Sequence, residues 1–252
     1  MINLNRNRFD DIPPNVSLFF PVYNDENTVK IVTEKSIKLL ENISNKHEII
    51  IIDDGSPDRS GEIADELAAE HDSVRVIHHG ENRGYGEAIK TGLSACSYEW
   101  ICFTDGDDEY DIFDFQKLMR LRKHYDLIIT FRYVRLYSGF RVFVSRVYNT
   151  FVRLMFRTRY RDISTGLRVV RRSVMREISL DSSSPFIGAE LTIKLMLMGY
   201  RIGEVGIQTF PREFGRGSSV TIPNILATVR DLYRTHRTVF SKHYDLPSGR
   251  IR

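Results

Sequence analysis

An α/β fold with a doubly wound, mostly parallel sheet flanked by helices is the class this chain predicts, and three observations predict it. Short apolar segments alternate with amphipathic segments of helical length through the first half. One of them, Glu48-Ile49-Ile50-Ile51-Ile52-Asp53, is apolar on both faces, the habit of a parallel strand covered on each side. Two of them end in acidic clusters, Asp53-Asp54-Gly55-Ser56 and Asp105-Gly106-Asp107. In open α/β sheets ligands bind at the carboxyl ends of the strands.

The elements follow in order. Val16 to Val22 is a strand, and Asn24 to Ser44 has the apolar spacing of a helix. Glu48 to Asp53 is a strand, Arg59 to Glu70 a helix, Val74 to His78 a strand and Gly86 to Ala95 a helix. Trp100 to Thr104 is a strand, and Asp111 is the N-cap expected for a helix from Ile112 to Leu121. Leu127 to Phe131 is a strand and Gly139 to Phe156 a helix. A short strand is expected at Arg168 to Val170. Gly199 closes a helix from Ile187 to Met198 as its C-terminal cap. Ile202 to Gln208 is a strand, and Pro223 opens a last helix from Ile222 to Phe240.

The composition is that of a globular chain, 42% hydrophobic and 27% charged over 252 residues. No apolar run approaches the ~20 residues that span a bilayer, and Met1 to Arg6 lacks the apolar core of a signal peptide. Cys96 and Cys102 fit a reducing compartment and are read as core fillers, without metal-type Cys/His spacing. His78 and His79 are read as ordinary loop residues. The charge is uneven. Leu127 to Arg161 holds eight Arg and no acid or Lys, which leaves the rest of the chain, with 28 basic and 33 acidic residues, at −5. One face therefore suits an anionic partner.

An Asp-x-Asp pair at a strand end fits a nucleoside diphosphate carried with a divalent cation, although Asp-Gly is also plain turn chemistry. After the first strand, Pro21, Tyr23, Asn24 and Glu26 can wrap a nucleobase, with Tyr23 as a stacking face. Asn24 or Asp25 can equally cap the next helix. Asp53, with Asp54 beside it, can accept from a base or ribose, whereas Asp58 reads as structural. Asn82-Arg83-Gly84-Tyr85-Gly86 runs into a helix whose first amides favour phosphate oxygens. Lys90 either reaches an anion or is solvated.

Together, Phe20-Pro21-Val22-Tyr23-Asn24-Asp25-Glu26, Asp53 to Asp58, Glu81 to Gly86 and Asp105-Gly106-Asp107 resemble, in this order, a family-2 glycosyltransferase with the GT-A fold. The subgroup resembled is the dolichyl-phosphate mannose synthase type, over roughly Ser17 to Ser219. The resemblance implies that Asp105 contacts ribose or metal and that Asp107 holds Mg²⁺ or Mn²⁺ against the diphosphate. Glu109, where relatives often carry Gln, is a candidate third metal ligand. Ile112 stands where relatives often carry Pro. Arg132 resembles the Arg of a Gly-Ser-Arg segment, here with Thr130 and Phe131 before it. Asp162-Ile163-Ser164-Thr165-Gly166-Leu167-Arg168 resembles an Asp-x-x-Ser-Gly-Phe-Arg motif. It implies acceptor phosphate contacts from Ser164, Thr165 and Arg168, and leaves Asp162 between an acceptor role and a turn cap. Arg212 and Arg216 match a late loop that closes over the diphosphate, and Glu190 matches an acidic position. Asp107, Arg132 and Asp162 are the catalytic candidates.

Phe140, Phe143, Val144, Val147, Tyr148, Phe151, Leu154 and Met155 form one helical stripe, edged by Arg141, Arg146, Arg153 and Arg157. This suits a helix lying in an anionic membrane surface or an ordinary core helix with a basic outer face. Ile222 to Phe240 repeats the design with Arg230, Arg234 and Arg237, where core packing or self-association is the alternative. The expectation is one domain. A nucleotide-sugar half spans about 15–125, and an acceptor half about 126–221 contains the basic helix 139–157. The last helix is 222–240. The resemblance implies inverting transfer of a sugar from GDP-mannose or a UDP-sugar to a polyprenyl phosphate. The expected place is the cytoplasmic face of a membrane, by peripheral attachment, with a membrane-spanning partner subunit or a homo-oligomer. The rivals are a hydroxyl acceptor, with Asp162 or Glu190 as base, and a non-catalytic nucleotide-binding scaffold. No nucleic-acid module is visible.

Overall fold

The computed structural model describes residues 13–134, 139–211 and 221–241. The expectations for Arg212, Arg216 and the loop to Ser219 lie outside these, as do the side chains of Phe140, Arg141 and Phe143. Seven strands form one sheet: β1 (Asn15–Val22), β2 (Lys46–Asp53), β3 (Val74–His78), β4 (Trp100–Phe103), β5 (Leu127–Val134), β6 (Arg168–Arg171) and β7 (Ile202–Gln208). Their order is β3-β2-β1-β4-β6-β5-β7. The pairs among β1 to β4 are parallel, as is β5 with β7. β6 lies antiparallel between β4 and β5. The expected doubly wound sheet is present, and the short strand expected at Arg168 joins its two halves.

The helices are α1 (Val29–Ile43), α2 (Ser60–Glu70), α3 (Tyr85–Ala95), α4 (Phe115–Met119), α5 (Gly139–Phe156), α6 (Ile187–Leu197) and α7 (Ile222–Phe240). Successive side chains of a strand point to opposite faces, and β2 divides accordingly. Ile49 and Ile51 pack with Val32, Leu40, Leu67 and Phe115 under α1, α2 and α4. Ile50 and Ile52 pack with Ala88, Phe156, Leu191 and Leu232 under α3, α5, α6 and α7. Both cysteines are buried, and burial pushes the Cys96 thiol up to about 12. They are core fillers, as expected.

Two boundaries and one apolar pattern differ from expectation. α1 starts at Val29 rather than Asn24, because Asn24 sits at φ 59 and turns the chain. The helix expected from Ile112 is a 3₁₀ turn, Ile112–Asp114, followed by the short α4. Asp111 does cap it, accepting from the Phe113 amide at 3.0 Å. Of the stripe expected on α5, Tyr148 and Met155 pack against the core, beside two residues outside that stripe. Val152 and Phe156 are buried, whereas Val147, Phe151 and Leu154 are exposed. His236 and Phe240 of α7 pack on the Phe156 ring, with centroids at 5.7 and 6.3 Å.

Gly92 of α3 lies against the Phe19 ring so closely that a Cβ would overlap it. Phe19 is itself stacked on Phe103 at 5.3 Å and cannot swing away cheaply. Gly92→Ala is therefore expected to destabilise the fold by about 1–3 kcal/mol through overpacking. Urea unfolding should show a lower midpoint with an unchanged slope; a wild-type midpoint would refute the close packing.

Candidate active site

Loops after β1, β2 and β4 meet the acceptor-side segment 162–168 at the carboxyl edge of the parallel strands, around a cleft of about 970 Å³. One side of its wall is Pro21, Tyr23, Asn24, Asp54, Asn82 and Gly84. The floor is Asp105, Gly106, Asp107 and Glu109, and the far side has Arg132, Ser164, Thr165 and Arg168. Fourteen residues singled out in sequence thus share one cavity. Glu26, Asp53 and Lys90 do not reach it. Glu26 bonds the Arg59 amide at the start of α2. Asp53 accepts from the Ser56 amide at 3.0 Å and pairs with His78 Nδ1 at 2.8 Å, so it shapes the turn after β2. Lys90 pairs with Glu87 one turn back.

Asp54 is on the wall, but its oxygens are already engaged. Oδ1 accepts from the Arg83 amide at 3.0 Å and meets His79 Nδ1 at 2.6 Å, and Oδ2 accepts from the Gly84 amide at 2.9 Å. A carboxylate only accepts, so Nδ1 of His79 carries the proton. His79 is buried and reaches Thr91 through Nε2 at 3.0 Å. It is therefore no ordinary loop residue, and its position directly after β3 is the signal in sequence that points to it. The carboxylate at the end of β2 pins the glycine-rich loop to the sheet.

The Asp-x-Asp segment is held from two sides. Thr28 donates its hydroxyl to the Gly106 carbonyl at 2.7 Å, and Lys35 pairs with Asp108 at 2.7 Å. Tyr85, which sequence reasoning does not select, donates its phenol to Asp105 Oδ1 at 2.7 Å. Burial, then the Asp105 charge, push the Tyr85 pKa well up, so it stays a donor. The Asp105 carboxylate also faces Gly166, where a Cβ would not fit. Asp107 Oδ1 accepts from the Glu109 amide at 3.1 Å. Asp108 at φ 55 turns the chain between Asp107 and Glu109.

Among the described residues no three His, Cys, Asp or Glu side chains converge as a metal site. Asp105, Asp107 and Glu109, the three carboxylates expected at a metal, all line the floor of the same cleft. The donor set still suits a hard cation. Mg²⁺ is commonly held by one or two carboxylates plus substrate phosphates and water, and Asp107 and Asp105 offer carboxylates on the cleft floor.

On the far side, Arg132 Nε donates to Asp162 Oδ2 at 2.8 Å and Nη2 to the Ser164 hydroxyl at 2.7 Å. Asp162 Oδ1 accepts from the Ser164 amide and hydroxyl and from Asn149. Asp162 is 1% exposed. Thr165 gives its hydroxyl to the Thr130 carbonyl at 2.9 Å. Arg168 is fully buried. It donates to the carbonyls of Thr165, Ile163 and Gly188 and to the Thr192 hydroxyl. Burial lowers its pKa, opposed by Tyr85, Tyr110, Tyr148 and Asp162. Glu190 is buried off the cleft, paired with Lys194 at 2.6 Å and accepting from the Asp181 and Ser182 amides.

The pattern of Glycosyl transferase family 2 matches residues 17–179. The chain is 29% identical over 211 residues to the polyprenol monophosphomannose synthase of Mycolicibacterium smegmatis, covering 79% of this chain and 78% of that one. It is 30% identical to the undecaprenyl-phosphate 4-deoxy-4-formamido-L-arabinose transferase of Pectobacterium carotovorum, covering 82% of this chain and 62% of that one. It spans only 33% of a glycosyltransferase of Haloferax volcanii. Its fold matches glucosyl-3-phosphoglycerate synthase from Mycobacterium tuberculosis, solved with Mn²⁺, uridine diphosphate and phosphoglyceric acid. The TM-score is 0.67 at 19% identity, over 89% of this chain and 78% of that one. The sheet is accordingly a GT-A fold.

Hydrogen bonds to Asp65 and then Asp53 raise the His78 pKa above 6.5. A raised folded pKa stabilises the fold fully below pH 6.5, and that gain is lost as pH climbs through the folded value. The urea midpoint should fall over this window, and His78→Gln should flatten that fall. An equal fall in the variant would assign the pH response to other groups.

Proposed function

Because the chain belongs to glycosyl transferase family 2, we propose that it transfers a sugar from a nucleotide-sugar to a polyprenyl phosphate at a membrane surface, inverting the anomeric carbon. The observation that carries this reading is the condition of the acceptor-side carboxylates. A hydroxyl acceptor needs a base within reach. Asp162 is buried in its bonds to Arg132, Ser164 and Asn149, and Glu190 in its pair with Lys194. A phosphate acceptor needs no base, since its second pKa is about 6. It needs charge screening and orientation, which Arg132 offers on the wall and Arg168 behind it.

The donor fits the opposite wall. Pro21, Tyr23 and Asn24 receive the base, and Asp105 the ribose or the metal. Asn82 and Gly84 line the cleft and lead into the first turn of α3, the place on this wall for the diphosphate. GDP-mannose and UDP-sugars are the donor candidates. A divalent cation held by Asp107 with Asp105 neutralises charge on the leaving diphosphate when bound. The M. tuberculosis synthase solved with Mn²⁺ or Mg²⁺ and uridine diphosphate supports that choice.

The cleft continues along apolar side chains of Val147 and Phe151 from α5 and of Ile225 and Val229 from α7. This arm suits a polyprenyl chain. Outside it Leu154 is 75% and Leu226 65% exposed, with exposed Arg146, Arg153, Arg230 and Arg234 nearby in sequence. Apolar side chains edged by Arg suit an anionic membrane surface. No helix of the described residues is long and apolar enough to cross one. The reading is therefore peripheral attachment at the cytoplasmic face, alone, as a homo-oligomer or with a membrane-spanning partner. The donor half 15–125, the acceptor half 126–221 and the helix 222–240 work as one unit.

Incubation with Mn²⁺, a short polyprenyl phosphate and a panel of nucleotide-sugars should give one sugar-phosphate lipid by mass spectrometry. Release of nucleoside diphosphate without a lipid product would move the acceptor to a hydroxyl. Asp107→Ala should lower turnover on the order of 10²–10³-fold with an unchanged melting temperature. A metal-responsive, active variant would remove Asp107 from the metal site. Leu154→Glu with Leu226→Glu should abolish sedimentation with anionic vesicles; retained sedimentation would exclude this face as the membrane contact.

A further inference from the structure

α7 reads as amphipathic, yet it buries a carboxylate. Asp231 is 2% exposed. Its Oδ2 accepts from the amides of Ser183 and Ser184, both at 3.1 Å, and its Oδ1 lies 3.5 Å from the exposed Arg230 guanidinium. The Ser183 carbonyl in turn accepts from the Gly86 amide at 3.0 Å. The fit is tight there, since a Cβ on Gly86 would come within 2.5 Å of the Ser183 carbonyl carbon. From the other side, Glu190 holds the amides of Asp181 and Ser182. The segment Asp181 to Ser184 is thus a strut between α7, α6 and the first turn of α3.

That first turn carries Gly84 and Tyr85 into the cleft, and α7 itself lines the cleft with Asn224, Ile225 and Thr228. We propose that Asp231 is a positioning residue for the donor: through Ser183 it sets where the first turn of α3 lies against the nucleotide-sugar diphosphate. The identity of that ligand rests on the function proposed above. The tether itself does not. Removing the carboxylate leaves one buried and one partly buried amide without their acceptor, a loss large enough to release the strut. One helix then contributes to the acceptor arm with its apolar side chains and fixes the donor loop with its buried acid.

The test compares Asp231→Ala and Asp231→Asn in the full chain, by amide hydrogen exchange and by steady-state kinetics. In Asp231→Ala, exchange in a peptide spanning 82–88 should rise about tenfold while peptides from the middle of α7 stay protected. The donor KM should rise about tenfold with kcat largely kept. Asp231→Asn keeps an accepting oxygen and should recover most of both, and it replaces the Ala variant if that one does not fold. Unchanged exchange over 82–88 would overturn the tether. Faster exchange with an unchanged donor KM would overturn the positioning role. If the wild-type chain turns over no nucleotide-sugar, the transferase reading fails, while the exchange result still decides the tether.

Discussion

A carboxylate that is 3% exposed has to find donors, and Asp54 finds them in the loop that the site is built around. The cost of leaving such a group unsatisfied is several times the gain from an ordinary hydrogen bond. The Arg83 and Gly84 amides and the His79 ring are therefore drawn to one point at the end of β2. β2 is itself fixed between β1 and β3. Sheet, buried acid and loop amides form one chain of constraint, and it ends at the first turn of α3. A loop held in place in this way meets a ligand without the entropy of ordering it first.

The second constraint is topological. β1 to β3 extend from β4 as a parallel set, and β6 runs against both β4 and β5. β6 begins at Arg168, so the segment that precedes it returns across the carboxyl edge of the parallel strands. This brings Ser164, Thr165 and Gly166 beside Asp105. The two walls of the cleft face each other because one short strand is reversed. Arg132 arrives from the adjacent β5, where the register with β7 shifts next to it.

The parallel half was legible because its strands are apolar on both faces and its helices are short and amphipathic. Those patterns are local. The acidic clusters were legible for the same reason: each lies directly after a strand. What each carboxylate does was not legible, because its partner is remote in sequence. His79 is 25 residues from Asp54, Asp162 is 30 from Arg132, and Ser183 is 48 from Asp231. Asp53 looks in sequence like a ligand for a base or ribose and Glu190 like a base for a hydroxyl acceptor, and in the fold both hold backbone. The apolar residues of α5 reach beyond the stripe read in sequence. Periodicity identifies an apolar side but not its width, and α5 is apolar both where Phe156 meets α7 and where Leu154 meets solvent.

Arg168 shows how such a fold can hold positive charge at a cleft without losing it to an ion pair. Among the described residues its hydrogen bonds go to three carbonyls and one hydroxyl, all neutral. Carbonyl oxygens satisfy the guanidinium donors, yet they cancel none of its net charge. Guanidinium stays protonated even when burial lowers its pKa. Arg132 is different, since Asp162 already neutralises much of its charge at 2.8 Å. Asp162 acts on Arg168 through space without bonding it, and field from the buried group acts through a poorly screening interior. On the proposed function, an anionic group at this wall would meet the charge of Arg168 and the contacts of Arg132 and Ser164, across from the carboxylates of Asp105, Asp107 and Glu109 on the floor. The partition follows from which donors were given to neutral acceptors and which to a carboxylate.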